Sequence, residues 1–408
     1  MHSVTSIPLS KGNRSAFAHD VLVMTAGLDV LLARSSAIAP EPRLERAASI
    51  LAEMGFSVLI LGWDREGRQP KTQEAERGVR IRRVYAPGGY GRGLGNIPGL
   101  VLFNLALLHA CARLKPRVVH AVDLDTALPA LLSKRLFGSR FLYDIADWYS
   151  ASRLRFARHK HFLKQLLDRL ENWVARQADY VVLPDESRMA YLTARPSRCA
   201  IVYNTPEDCR TEALQTGVWA PYNPYVAYAG RLDQDRGIKE AILAADGAGI
   251  YLLLAGSGPL ASDCAAAAQR ARFVRYLGLL EYRRALALQE GAIAVLATYD
   301  PSVEINRLAA PYKLYEALML GKPVIASIGT LPGRLVQEEG VGLAVTYGSV
   351  EELAGAFRYL VQNPTEAGKM GMRARGLYEE RYSWARQRQK LQDIYIGLTR
   401  GDGQERTS

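Results

Sequence analysis

Short apolar runs alternate with longer amphipathic patterns along nearly the whole chain, and this alternation restricts the fold more than any other feature. It is typical of parallel sheets that are covered by helices, and it predicts an α/β fold. The first series of strands is predicted at Val21–Thr25, Ser57–Gly62, Val118–Val122, Arg140–Tyr143, Tyr180–Leu183 and Ala200–Tyr203. The second is predicted at Tyr225–Ala229, Tyr251–Ala255, Phe273–Leu277, Ala292–Leu296, Pro323–Ala326 and Leu343–Val345.

The length of the chain predicts two domains. At 408 residues it exceeds the roughly 250 to 300 residues at which a single core stops growing. The segment 204–224 has little periodicity and contains three prolines, as linkers do. We therefore expect two Rossmann-like domains with parallel sheets that face each other across a cleft, over residues 1–208 and 209–385. Residues 386–408 would form a helix that packs back on the first domain, followed by a tail. Ligands of such sheets bind beyond the carboxyl ends of the strands, which here meet at the cleft.

The excess of basic residues is concentrated in the first half of the chain. Residues 1–208 hold 29 Lys and Arg against 20 Asp and Glu, a net charge of +9, whereas residues 209–408 hold 23 against 21, a net charge of +2. A charge of this kind suits nucleic acid, a membrane surface or a phosphorylated substrate. The four cysteines show no CxxC spacing, so they suggest neither a zinc site nor a disulfide framework.

Two apolar segments bear on where the protein resides. The first 40 residues have a signal-peptide pattern, but His19, Asp20 and Asp29 interrupt it, so we expect a cytoplasmic protein. The longest apolar segment, Ile97–Cys111, is shorter than the ~18 residues of a membrane span and contains polar side chains. We therefore expect that the chain does not cross a bilayer.

The turn after the predicted strand Tyr225–Ala229 has the residues of an anion site. Arg231 and Arg236 are five positions apart and can both reach one diphosphate. Gly230 and Gly237 would let the backbone approach that ligand closely. The alternative is that both arginines are exposed and pair with the neighbouring aspartates.

A second anion site is predicted about 75 residues later, in the segment 311–326. Pro311 suits the first turn of a helix, whose free N–H groups can bind a phosphate. Glu316 follows on the same helix and could accept hydrogen bonds from two hydroxyl groups of a ribose. The alternative for Glu316 is a solvated helix residue.

Together these segments resemble the nucleotide-sugar-dependent glycosyltransferases of the two-Rossmann-domain (GT-B) fold, and in particular the retaining family 4 of bacterial polysaccharide and glycolipid synthesis. The resemblance covers most of residues 225–400 and is thinner in the first half. The matching pieces are Gly230-Arg231-Leu232 with Arg236-Gly237, Gly256-Ser257-Gly258-Pro259, Tyr276-Leu277-Gly278, Glu316 with Gly321-Lys322-Pro323-Val324-Ile325-Ala326, and Tyr382-Ser383-Trp384.

The resemblance implies an enzyme that transfers a sugar from a nucleoside-diphosphate sugar to a hydroxyl of a glycan or lipid-linked glycan, with retained configuration. By this analogy the first domain binds the acceptor and the second binds the nucleotide sugar. Arg231 and Arg236 would neutralise the leaving diphosphate, Glu316 would hold the ribose, and neither a metal nor another cofactor is expected. The implied nucleotide-binding set is Gly230, Arg231, Arg236, Gly256, Pro311, Lys313 and Glu316.

The sequence departs from the family pattern on both sides of the cleft. Arginine stands at 236, where lysine is usual, and Leu308 stands where the first of two glutamates is usual. Glu304 is the candidate to make the missing sugar contact. The implied catalytic set is therefore Arg231, Arg236, Glu304 and His120.

His120 belongs to a weakened motif in the first half, since Val122 and Ala146 replace two histidines that the family often carries. We interpret His120, Asp123, Asp144 and Asp147 as candidates on the acceptor or sugar side. The alternative for His120 is a buried strand-end histidine bonded to backbone. Asp123-Leu124-Asp125 also matches the metal-binding D-x-D of another glycosyltransferase fold, but three residues are weak evidence.

The segment Arg153–Ala178 is predicted to form a long basic amphipathic helix. Such a helix can pack on the core with a solvated outer face, or it can contact anionic lipid headgroups near an acceptor cleft. The second interpretation suits a lipid-linked acceptor and a peripheral position on the inner face of the cytoplasmic membrane. No nucleic-acid-binding module is visible. A nucleotide-sugar epimerase of the same fold, or an inactive nucleotide-sugar-binding relative, remains an alternative function.

Overall fold

The computed structural model describes residues 27–39, 41–89, 93–153, 161–193, 195–210 and 216–399. The strand predicted at Val21–Thr25 lies outside these residues. The first described strand is Val30–Arg34, which the sequence analysis did not identify; it pairs in parallel with Val58–Asp64 and Val118–Val122. The strand–helix–strand unit at the start of the first sheet therefore begins at Val30–Arg34.

The first sheet has eight strands in the order β3-β4-β2-β1-β5-β6-β7-β8. Neighbouring strands of this sheet pair in parallel except β3 and β4, which are antiparallel. The sheet is therefore mixed at one edge, whereas a wholly parallel sheet was predicted. The strands are β1 Val30–Arg34, β2 Val58–Asp64, β3 Thr72–Glu74, β4 Arg80–Tyr85, β5 Val118–Val122, β6 Arg140–Asp144, β7 Tyr180–Leu183 and β8 Cys199–Ile201.

The second sheet has six strands, all parallel, in the order β11-β10-β9-β12-β13-β14. The strands are β9 Tyr225–Ala229, β10 Tyr251–Ala255, β11 Val274–Tyr276, β12 Ala294–Ala297, β13 Val324–Ser327 and β14 Gly342–Val345. Each lies within two residues of its predicted position.

Helices connect the strands and cover both sheets. Those of the first part of the chain are α1 Pro42–Glu53, α2 Ile97–Leu114, α3 Leu124–Phe137, α4 Tyr149–Arg153 and α5 His161–Gln177. Those of the second part are α6 Ile238–Ala248, α7 Ala261–Arg270, α8 Tyr282–Gly291, α9 Glu304–Leu308, α10 Tyr312–Leu320, α11 Leu331–Glu339, α12 Val350–Gln362, α13 Pro364–Leu377 and α14 Trp384–Thr399.

The first sheet is buried on both faces because successive strand residues point to opposite sides. Leu31 packs in the core beneath α2, α3 and α5, whereas Leu32 packs in the core beneath α1. The last helix, α14, contributes Ile394 and Tyr395 to this second core. The chain thus returns from the second sheet to the first at its carboxyl end.

The two sheets turn the carboxyl ends of their strands toward the same cleft. From the first domain, the Arg188 guanidinium donates a hydrogen bond to the carbonyl of Leu308 on the other side. Farther along the cleft, Arg46 donates to the hydroxyl of Tyr312 at 3.1 Å. These contacts confirm the predicted architecture of two α/β domains that face each other.

The helix α2 is longer than the apolar segment from which we expected no membrane crossing. With 18 residues, it is the described helix whose length and apolar composition would suffice to cross a bilayer. Phe103, Leu107 and Cys111 on one face of α2 are nevertheless fully buried in the first core. The helix therefore has one face in the protein and one at its surface.

Candidate active site

A cavity of about 510 Å³ lies in the cleft and takes its walls from both domains. Its first-domain wall includes Arg34, Glu41, Arg43, Asp147, Asp185 and Arg188. Its second-domain wall includes Arg236, Tyr299, Asn306, Pro311 and Tyr312. The cavity thus brings Arg236 and Pro311 of the predicted set together with Asp147.

Two glycine turns of the second domain touch each other at the carboxyl ends of their strands. Gly230 follows β9 with φ 146°, and Gly256 follows the adjacent strand β10 with φ 139°. A Cβ on Gly256 would lie 1.7 Å from the carbonyl oxygen of Gly230. Only glycine fits at this contact, because any side chain would collide with backbone that cannot move away. The two turns form one backbone surface at the ends of neighbouring strands.

The two predicted arginines lie in different environments. The side chain of Arg236 is 15% exposed, lies 4.3 Å above the ring of Tyr299 and donates to the amide oxygen of Asn306 at 3.0 Å. The side chain of Arg231 is 69% exposed and pairs with Asp233 at 2.7 Å. Arg236 therefore lines the cavity with a guanidinium that Asn306 and Asp235 hold in place. Arg231 is instead largely exposed and does not line the cavity.

Lys313 is a third cation of the predicted set, and it is buried beneath the first glycine turn. Its Nζ lies 3.4 Å from the ring centroid of Tyr228 and 3.1 Å from the position that a Cβ on Gly230 would take. This nitrogen has no hydrogen-bond partner within the described parts of the chain. Burial, together with the charge of Arg236, lowers the pKa of Lys313 well below its usual value. An anion bound at the Gly230 turn would supply the missing opposite charge.

Glu316 is buried on the same helix as Lys313. The side-chain amide of Gln289 donates to its Oε2 at 3.0 Å, and burial raises the pKa of the carboxyl. The alternative of a solvated helix residue is wrong, since Glu316 is only 6% exposed. Its helix starts after Pro311, which has the extended conformation of an N-cap and lines the cavity.

Glu304 binds the first domain and does not line the cavity. Its Oε1 lies 3.2 Å from Nζ of Lys164 and accepts a hydrogen bond from the Tyr191 hydroxyl at 3.3 Å. Its neighbour Asn306 lines the cavity and orients Arg236. The carboxylate that was expected to contact the sugar is thus engaged in a contact between domains in this structure.

Leu308 stands where the family usually carries its first glutamate. It ends the short helix α9, and its carbonyl accepts hydrogen bonds from Ser187 and from Arg188. At this position the backbone, and not a side chain, therefore meets the opposite domain.

His120 lies deep in the first domain. It is 2% exposed, with Nδ1 hydrogen-bonded to the Tyr395 hydroxyl at 2.6 Å and Nε2 3.3 Å from Asp144. Arg43 donates to both oxygens of Asp144 at 2.8 Å. Burial alone would raise the pKa of Asp144, but Arg43 and His120 hold it well below its usual range. His120 is not part of the cavity wall, and it connects the sheet to the last helix through side chains rather than through backbone.

Asp123 lies at the end of β5 in a strained conformation, with φ 63° and ψ 167°. Its carboxylate accepts from the backbone N–H of Asp147 at 3.0 Å, and burial raises its pKa to about 7. The carboxylate of Asp125 instead accepts hydrogen bonds from Ser35 and Arg153. No group of three or more His, Cys, Asp or Glu suited to a metal ion occurs among the described residues.

Several residues of the cavity wall were not predicted from the sequence, and three of them contact Arg236 or the opposite domain. Arg188 is 3% exposed and reaches across the cleft, Asn306 orients Arg236, and Tyr299 lies under the same guanidinium. Asn306 lies two positions after Glu304 and could have been singled out with it. Nothing in the sequence around Arg188 or Tyr299 marks either residue, because their importance comes from contacts with distant segments.

Comparison with known protein families gives two matches in chain order. Residues 39–205 match the model of the glycosyl transferase 4-like domain, and residues 223–363 match that of the glycosyl transferases group 1. The chain is also 25% identical to the glycogen synthase of Mycobacterium tuberculosis in an alignment 396 residues long. The alignment covers 88% of this chain and 90% of that protein.

Solved structures share the fold across both domains. The sucrose-phosphate synthase of Thermosynechococcus elongatus superposes with a TM-score of 0.76 at 18% identity, covering 91% of this chain and 99% of that one. HepE of Anabaena in complex with UDP-glucose superposes with a TM-score of 0.66 at 14% identity, covering 90% and 99%. With the two family matches and the cleft geometry, these similarities identify the chain as a GT-B glycosyltransferase that belongs to the group 1 family.

Proposed function

We propose that this glycosyltransferase moves a sugar from a nucleoside-diphosphate sugar to a hydroxyl of a glycan or lipid-linked glycan, with retention of configuration, in bacterial cell-surface polysaccharide synthesis. The observation that carries the proposal is a pair of basic side chains, one in the cavity and one beneath the Gly230 turn. Arg236 lines the cavity, and Lys313 lies buried without a hydrogen-bond partner in the described chain. The UDP-glucose complex of the structurally similar HepE supports a nucleotide-sugar donor.

The cations would act on the leaving group. Breaking the bond between sugar and phosphate develops negative charge on the diphosphate and positive character on the sugar carbon. Arg236 and Lys313 would oppose the negative charge, aided by the helix N-terminus after Pro311 and by Arg231 moving in from its exposed position. In this proposal the cations stabilise the negative charge on the diphosphate, which other glycosyltransferases stabilise with a metal ion, so no cofactor is required.

In this proposal Glu316 and the first-domain wall also act on the substrates. Glu316 would hold the ribose, and the first-domain wall with Asp147 and Arg188 would receive the acceptor. The acceptor hydroxyl would attack from the face that the diphosphate leaves, and a phosphate oxygen would take its proton. Attack from that face retains the configuration at the sugar carbon.

The protein would work in the cytoplasm, peripherally on the inner face of the cytoplasmic membrane. A lipid-linked acceptor resides in that membrane, and the first domain carries most of the net positive charge. An anionic membrane surface is therefore a proposed partner, and nucleic acid is not.

The test is a transfer assay with a panel of radiolabelled nucleotide sugars and membrane extract as the source of acceptor. We expect label in a lipid or glycan fraction, and product NMR should give the anomeric configuration of the donor. Conversion of the free nucleotide sugar would instead indicate an epimerase. Binding without turnover would indicate an inactive relative.

Three variants test the assignment of the diphosphate site. Arg236→Ala should lower the turnover number roughly 100-fold to 1000-fold, the usual effect of removing one group that stabilises developing charge. Arg231→Ala should also cripple turnover while leaving the folded state intact, since its side chain is largely exposed. Arg358→Ala, at an exposed position of the same domain, is the matched control and should have no effect. Activity of Arg231→Ala within a few-fold of the parent would contradict its role on the diphosphate.

A further inference from the structure

Three helices on the outside of the first domain expose an unusual number of large apolar side chains. They are α2, α3 and α5, which cover one face of the first sheet. The exposed fractions run from 36% at Trp173 to 79% at Phe162. We call the set the outer face; it consists of Ile97, Val101, Leu102, Leu105, Leu128, Leu132, Leu136, Phe162, Leu166 and Trp173.

The outer face is one surface, because each helix contributes a stripe on the side opposite the core. Exposed side chains recur every fourth residue, as in Leu128, Leu132 and Leu136 of α3, which is the spacing of one helix face. The guanidinium of Arg135 on α3 lies 5.8 Å from the ring of Trp173 on α5, so these two helices are neighbours at the surface. Helix α2 packs on the other side of α3 and shares its core.

A surface of this kind indicates a partner. Single exposed leucines are ordinary, but contiguous apolar patches mark interaction sites. In the second domain the exposed large apolar side chains are instead spread over separate helices and loops. They are Val218, Leu243, Leu279, Tyr282, Ile328, Tyr359 and Met372. Because both domains belong to one chain, overall composition does not explain why one domain clusters its exposed apolar side chains and the other does not.

The charged side chains on the same three helices indicate the chemistry of the partner. Their three acidic side chains are turned inward: Asp125, Asp168 and Glu171 are all hydrogen-bonded to groups of the first domain. Their exposed charged side chains are all basic within the described residues, namely Arg113, Arg135, Arg169 and Arg176. A second copy of the chain would bring like charges together, whereas anionic lipid headgroups would complement both the charge and the apolar stripes.

We infer that the outer face docks the protein on an anionic lipid bilayer. The apolar stripes enter the headgroup region while the arginines contact lipid phosphates. Helix α2 lies along the interface and does not span the membrane, because Phe103 and Leu107 remain in the protein core. This inference rests on the proposed function, in which the acceptor is lipid-linked, and it names the surface that meets the lipid. That surface is wider than the single basic helix singled out in the sequence.

The first experiment is co-sedimentation of the full chain with phosphatidylcholine vesicles, with and without phosphatidylglycerol. Binding should require the anionic lipid and weaken as salt is added. The fluorescence of Trp173 should shift to shorter wavelength on binding, since Trp63, Trp148 and Trp219 are already buried. Trp384 packs against the core beneath α1, on the other face of the sheet. Trp173→Phe should abolish most of that shift while leaving sedimentation nearly unchanged.

The second experiment changes the outer face itself. The combined variant Leu105→Glu, Leu132→Glu and Phe162→Glu should lower the lipid partition coefficient at least roughly tenfold, because three apolar groups would no longer leave water. Leu279→Glu, at a position that is 78% exposed in the second domain, is the matched control and should bind like the parent.

Measuring nucleotide-sugar binding in solution separates this inference from the proposed function. The outer-face variant should retain that binding, and Arg236→Ala should retain vesicle binding. Absence of vesicle binding by the parent chain, equal binding to neutral vesicles, or unchanged binding by the outer-face variant would each overturn the inference. So would a concentration-dependent dimer that the outer-face variant abolishes, since the occupant would then be a second copy of the chain.

Discussion

The two walls of the cleft are constructed in different ways. In the first domain, Arg43 of the wall forms a buried ion pair with Asp144, which is 101 positions away in the chain. In the second domain, the turns at Gly230 and Gly256 follow neighbouring strands and meet through backbone atoms. The second-domain wall is therefore specified by short local motifs, whereas the first-domain wall depends on contacts between distant segments.

The largest effect on stability should come from breaking the buried pair of the first domain. Arg43→Ala leaves Asp144 as a buried carboxylate with only His120 beside it, which should cost about 3 to 5 kcal/mol of unfolding free energy. Chemical denaturation measures that loss. Asp144→Asn in the same chain should recover part of it, because the unpaired charge is removed. A loss below about 1 kcal/mol would mean that the pair does not hold this wall together.

A somewhat smaller effect should follow from disturbing the glycine contact of the second domain. Gly256→Ala places a Cβ against the Gly230 carbonyl at a positive φ, and overpacking of this kind costs about 1 to 3 kcal/mol. Nucleotide affinity, measured by calorimetry, should fall with it.

Gly247→Ala is the control for that substitution. Gly247 lies on α6 with nothing within 4 Å of the added Cβ, so alanine should stabilise the protein by about 0.4 to 1 kcal/mol. If Gly256→Ala and Gly247→Ala changed the unfolding free energy equally, the contact between the two turns would not be tight.

The dependence of stability on pH should be dominated by buried carboxyls of the first domain. Burial raises the pKa of Glu171 to about 8 and that of Asp123 to about 7. A carboxyl whose pKa is higher in the folded state favours folding at low pH, and that contribution is lost as pH rises from the unfolded pKa to the folded one. These two carboxyls should therefore lower the unfolding free energy by about 1 to 3 kcal/mol between pH 5 and pH 8. Lys313, whose pKa is lowered in the folded state, contributes in the opposite direction.

Glu171→Gln tests the origin of that slope. The substitution removes the titrating group while keeping an acceptor for the Tyr149 N–H, so the decline with pH should become shallower. Denaturation curves collected across the pH range measure it. If the unfolding free energy of the variant declined with pH as steeply as that of the parent, a group other than Glu171 would cause the decline.

The smallest change in stability should come from Glu304, where the two walls meet. Glu304→Gln weakens a partly exposed pair with Lys164 and should cost less than about 1 kcal/mol. If Glu304 also contacts the sugar, as the sequence led us to expect, turnover should fall roughly tenfold or more. Lys164→Met breaks the same pair and should leave turnover within about twofold. Equal losses in the two variants would assign Glu304 to the domain contact alone.

The strands that were predicted correctly are apolar runs, whereas two of the three missed strands are not. The strands of the second sheet are apolar runs bounded by polar residues, and all six were found. In the first sheet, Thr72–Glu74 is fully exposed and Arg80–Tyr85 carries three arginines, so neither edge strand has the pattern of a buried strand. Val30–Arg34 is apolar but was passed over in favour of an earlier apolar run, because periodicity alone cannot rank two such neighbours.

The sequence by itself determined the α/β class, the two-domain cleft and the glycine and arginine motifs of the second domain. These features depend on short segments, in which residue type and spacing decide the local conformation. Only the tertiary structure decided that Arg236 lines the cavity while Arg231 is largely exposed, and that Glu304 binds the opposite domain. It also decided that Lys313 is buried with no hydrogen-bond partner among the described residues. It also gathered three apolar stripes into one outer face. Such properties depend on which distant segments share a surface, and a linear pattern of residues does not record that.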